Sequence, residues 1–79
     1  MQNQLPGENL RSAVEREILQ VLTQYGAANA RFVHNQLLQV HDIPYTAILG
    51  IMQSMVEKEL LERRGGRQPI LFSVKKMML

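Results

Sequence analysis

Three arginines, Arg63, Arg64 and Arg67, bracket the pair Gly65-Gly66. A guanidinium group is a planar, permanently charged fork of N–H donors, matched in shape to phosphate oxygens. Upstream, Pro44 is followed by Tyr45, Thr46, Leu49, Gly50 and Gln53, spaced to lie on the side of a helix away from Ile48, Ile51, Met52 and Met55. These residue types suit the edges of base pairs. Gln53 can bond adenine through both atoms of its amide, a methyl of Thr46 or Leu49 can meet the thymine methyl, and Gly50 lets a helix axis come close. No Arg or Lys stands among the five, so the commonest contact to guanine is missing and the expected site leans towards A·T. Arg31, Arg63, Arg64 and Arg67 are the expected phosphate contacts, helped by the backbone N–H groups at the starts of two helices.

The distribution of charge supports an anionic partner. The net formal charge of the chain is only +2, but it is unevenly spread. Through Glu62 the acids outweigh Arg11, Arg16, Arg31 and Lys58, leaving a segment near −3. Beyond Glu62 there is no acid, and Arg63, Arg64, Arg67, Lys75 and Lys76 bring that stretch to +5.

Other chemistry finds little support. The absence of cysteine removes a disulfide framework, a thiolate zinc site and a cysteine nucleophile. His34 and His41 stand seven apart, too far for a chelating pair on one helix turn, and are read as a surface histidine and a helix C-terminal histidine. Ser12, Ser54 and Ser73 lack a nucleophile motif, Gly65-Gly66 lacks the lysine of a phosphate loop, and no paired carboxylates converge. The expectation is a protein with no catalytic residues, no cofactor and no metal. No apolar run is long enough to span a bilayer and the N-terminus is polar, so a soluble, cytoplasmic protein is expected, without membrane contact.

Short elements must position these residues, since 79 residues make one domain with a small core. Residues 1–11 read as a flexible lead-in with Pro6-Gly7 as a breaker, residues 12–76 as the folded domain, and residues 77–79 as a tail. Ser12-Ala13-Val14-Glu15 fits a capping box, followed by Val14, Ile18, Val21, Leu22 and Tyr25 at helical spacing and Gly26 as a stop. A second helix starts near Asn29, a good N-cap, with Ala30, Val33, Leu37 and Val40 on one face. The third, over 44–59, begins at Pro44, where a missing N–H costs nothing. The period then becomes alternating. Leu60 to Arg64 and Gln68 to Val74 read as two strands of a hairpin over 61–74, with Gly65-Gly66 supplying positive φ and Pro69 placed where no ladder bond is needed.

Three helices followed by a two-stranded wing make a mostly α fold with a small β-hairpin (α+β), a winged helix-turn-helix. From Glu15 to Val74 the chain resembles the penicillinase-repressor family of transcription regulators, and more loosely the MarR-like winged helices. The resemblance rests on EREILQVL with the break at Gly26, the proline-started PYTAILGIMQSMVEKELLERR, and GGRQPILFSV. It implies a homodimeric repressor on double-stranded DNA, with Thr46 and its outward neighbours in the groove and the wing arginines on the backbone. Glu59 stands where the family usually closes this helix with glycine. The dimer surface is left open, with Phe32, Leu38 and Met77 to Leu79 as candidates. A second reading is a winged helix that docks a protein partner and binds no nucleic acid, favoured by Glu57 and the absence of cations on the outward face of the third helix.

Overall fold

A computed structural model of the chain describes residues 6–66 and 69–75. Its helices are α1 (Pro6–Tyr25), α2 (Ala30–Leu37) and α3 (Tyr45–Glu57), and its strands are β1 (Ala28–Asn29), β2 (Leu61–Arg64) and β3 (Leu71–Val74). This is the expected winged helix, with one strand more than the two of the hairpin. The short β1 pairs with β3, which becomes the centre of a sheet ordered β1-β3-β2 with both neighbours antiparallel.

The core lies between the three helices and one face of the sheet. Val14, Ile18 and Leu22 from α1, Ala30, Val33 and Leu37 from α2, and Ile48, Met52 and Met55 from α3 meet Leu61 and Phe72 from the strands. Each helix contributes residues three or four apart, the stripe that a helix must bury to be stable in a chain this short.

Helix α1 starts at Pro6 rather than Ser12, so residues 6–11 belong to the helix and not to a lead-in. Proline is well suited to a first turn, where its fixed φ is helical and its missing N–H has no partner to lose. Ser12 is therefore an exposed interior position and not a cap. Glu15, expected to reach back to Ser12, instead meets Arg11 at 3.5 Å and Lys58 at 3.2 Å, tying α1 to the end of α3. The helix stops at Gly26, whose φ of 87° is left-handed and whose N–H donates to the Leu22 carbonyl at 2.8 Å.

Helix α2 is capped as expected, the Asn29 side chain accepting the Phe32 N–H at 2.8 Å. It is shorter than its apolar pattern suggests. The chain turns after Leu37, whose carbonyl accepts from both Val40 and His41, and Val40 is left 65% exposed rather than on the buried face. Pro44 is the N-cap of α3, one residue ahead of its expected place inside the first turn.

The end of α3 is a Schellman turn. Glu59 N–H donates to the Val56 carbonyl and Leu60 N–H to the Met55 carbonyl, with Glu59 at a φ of 69°, the one left-handed non-glycine among the described residues. The hairpin is wider than a two-residue turn. Arg64 pairs with Leu71, so the loop between the strands is longer than Gly65-Gly66, and of those glycines only Gly65 takes a positive φ. Pro69 falls in that loop, clear of the ladder. Arg67, Gln68 and the 77–79 tail lie outside the described residues.

Candidate nucleic-acid interface

The outward side of α3 is built as two adjoining stripes. Tyr45, Leu49 and Gln53, four apart, face the wing and line a cleft of about 360 Å³ with Asn29, Arg31 and the loop residues Pro69 and Ile70. Thr46, Gly50 and Gln53 form the second stripe and are exposed. Tyr45 and Leu49 are partly buried and pack against the core, so their side chains are less free than their outward spacing suggests. A Cβ at Gly50 would meet no atom within 4 Å, so no packing constraint explains glycine at this helical position.

Arg31 joins this surface through an aromatic contact. Its guanidinium carbon lies 4.6 Å from the centroid of the Tyr45 ring, close enough for a cation–π interaction. The same ring forms a T-shaped pair with His34, at 5.8 Å between centroids and 73° between planes. His34 Nε2 is 2.7 Å from the Ile43 carbonyl oxygen, which can only accept, so that nitrogen carries the hydrogen and donates. Arg31, Tyr45, His34 and the backbone before Pro44 thus form a chain of contacts across the α2–α3 corner. This histidine is a brace between helix and turn rather than a free surface group. His41 Nε2 is buried 3.4 Å from a Glu17 oxygen without a hydrogen bond to it.

The wing arginines part company. Residues paired across a sheet share a face, and Arg63 is opposite Phe72 whereas Arg64 is opposite Leu71. Phe72 is buried and Leu71 exposed, so Arg63 stands on the side of the helices and Arg64 on the outer side. Arg64 shares a separate depression with Glu62, Ser73 and Lys75. Among the described residues no carboxylate lies within 4.0 Å of Arg31, Arg63 or Arg64.

Lys75 behaves otherwise. Its ammonium is hydrogen-bonded to Glu59, which holds the Glu59 carboxyl below its ordinary range and raises the lysine above its own. Part of the basic block after Glu62 is therefore neutralised by an acid that precedes it. Sequence reading missed this pair and the Arg31–Tyr45 contact for one reason: both join residues more than a dozen positions apart, beyond any helical or strand period.

A family model described as penicillinase repressor matches residues 11–75. The chain belongs to the penicillinase repressor family. Members are DNA-binding transcription regulators of winged-helix fold, a class of repressors rather than of enzymes. Neither the curated proteins nor the solved structures contain a match to this penicillinase repressor family member. No helix among its described residues is long and apolar enough to cross a membrane.

Proposed function

We propose that this chain represses transcription in the cytoplasm by binding double-stranded DNA in a sequence-specific way, as a homodimer on two half-sites. Helix α3 enters the major groove and presents Thr46, Leu49, Gly50 and Gln53 to base edges, while Arg31, Arg63 and the wing hold phosphates. Arg64 and Arg67 extend the wing's phosphate contacts. A single short module rarely reaches useful specificity, which favours two copies per site.

The observation that carries this reading is Gly50. Glycine inside a helix costs roughly 1 kcal/mol relative to alanine, and here no neighbouring atom requires it. A glycine on an open helix face that carries no cation is accounted for by a partner that must approach the helix axis closely, as a DNA groove does.

Titration of the protein with a random duplex and with a selected pool at two salt concentrations tests the proposal. Binding that weakens with salt, by a log slope of about 0.9 for each phosphate contacted, is expected, with Gln53→Ala relaxing sequence preference. Gly50→Ala should raise stability by roughly 1 kcal/mol while weakening DNA binding. No binding at low salt, or a Gly50→Ala variant that binds as well as the parent, would overturn it.

A further inference from the structure

We propose that Tyr45 acts as a positioning residue for Arg31, setting its guanidinium on an aromatic rest so that it meets a phosphate beside the start of α3; the phosphate role rests on the DNA-binding reading above. Helical position alone makes Tyr45 a reader of bases. Its surroundings argue differently. The ring is partly buried against the core, His34 packs on it in a T-shaped arrangement at 5.8 Å, and the Arg31 guanidinium lies over it at 4.6 Å. His34 is itself anchored at 2.7 Å on the Ile43 carbonyl, so the ring's orientation is set by the helix-turn-helix corner and not by a ligand.

Stacking engages the flat face of a guanidinium and leaves its in-plane N–H donors free. Arg31 is exposed, has no carboxylate within 4.0 Å among the described residues, and stands at the rim of the cleft between α3 and the wing loop. A long side chain ordinarily loses rotamer freedom when it engages a phosphate, and one already resting on a ring has lost much of it beforehand. The pair therefore supplies a pre-set cation at a surface where α3 contributes none of its own.

A double-mutant cycle on the full chain, read by duplex titration over a range of salt, separates this role from base reading. Arg31→Ala and Tyr45→Leu should each weaken binding to all duplexes alike, roughly ten-fold, and each lower the salt slope by about 0.9. The double variant should be no worse than either single one, and Tyr45→Phe, which keeps the ring, should bind like the parent. Arg31→Lys keeps the charge but not the planar fork, and should lose several-fold in affinity with the salt slope retained. In the free protein, the Arg31 side-chain proton resonances should be ring-current shifted, and the shift should persist in Tyr45→Phe and vanish in Tyr45→Leu. Should Tyr45→Leu not fold, the Phe and Lys variants still decide: a changed base preference in Tyr45→Phe, or parental affinity in Arg31→Lys, overturns the proposal. Additive losses in the cycle overturn the pairing while leaving DNA binding intact. A parent protein that fails to bind any duplex overturns the DNA reading and the phosphate role together.

Discussion

The two ends of α3 each bring a cation from another element, and they use it in opposite ways. At the N-terminal end Arg31 rests on a neutral ring and keeps its full charge for the surface. At the C-terminal end Lys75 is bound to Glu59, so its charge is matched within the fold. One end leaves a cation open at the surface and the other uses one to close a corner. The comparison shows why net charge along a sequence is a poor map of charge on a surface: neutralisation depends on pairs that only the tertiary fold brings together.

The largest effect should come from testing whether that corner is held by packing or by charge. Met55 has no exposed surface, and its carbonyl accepts the Leu60 N–H that completes the turn after α3. Met55→Ala leaves a cavity and should cost about 2–5 kcal/mol, seen as a lower urea midpoint. Lys75→Ala at the exposed pair should change the midpoint far less. Equal losses from the two variants would mean that the ion pair holds the corner as strongly as the methionine does.

A smaller change inverts the comparison. Glu59 adopts a left-handed backbone at φ 69°, which disfavours any residue with a Cβ. Glu59→Gly relieves that cost and should stabilise the domain by about 0.5–1 kcal/mol, after the greater freedom of glycine in the unfolded chain is counted. It also frees Lys75. If the wing reaches phosphates as proposed, duplex affinity should rise and the salt slope steepen, making the C-terminal end resemble the N-terminal one. A lower unfolding midpoint would show instead that the Lys75 pair outweighs the backbone strain.

How far the sequence reveals this arrangement depends on the range of the interaction concerned. The buried stripes Val14–Ile18–Leu22 and Ile48–Met52–Met55, the Asn29 cap and the Gly26 stop are all local, and each is legible from spacing and residue type. The peculiarity of Glu59 is visible only through the family resemblance, which implies a glycine there. The boundaries fare worse: the Ser12 capping box is overridden by a helix already running from Pro6, and Val40 continues a pattern that the chain abandons at Leu37. Strand β1 has two residues and no period to detect, and exists because β3 offers it an edge. On the candidate surface, the lack of cations on α3 can be read directly from Thr46, Gly50, Gln53 and Glu57, whereas the division of Arg63 and Arg64 between two faces follows from a register that the sequence does not print.

The smallest expected effect is the dependence of the Glu59–Lys75 pair on pH. Hydrogen bonding to Lys75, reinforced by its charge, holds Glu59 below the ordinary value of 4.5. Its contribution to stability is therefore complete above 4.5 and disappears as pH falls through the depressed value. Lys75, hydrogen-bonded to Glu59, is raised above 10.5, so its contribution is complete below 10.5 and disappears as pH rises through the raised value. The stability difference between the parent and Glu59→Gln should accordingly be level between those two limits and shrink at either side. Both groups are exposed, so added salt should flatten the whole profile. Glu59→Gln keeps the left-handed backbone, which separates charge from strain. A difference that persists unchanged in acid would mean that Glu59 contributes through its shape at the corner, and the contrast in charge between the two ends of α3 would lose its energetic basis.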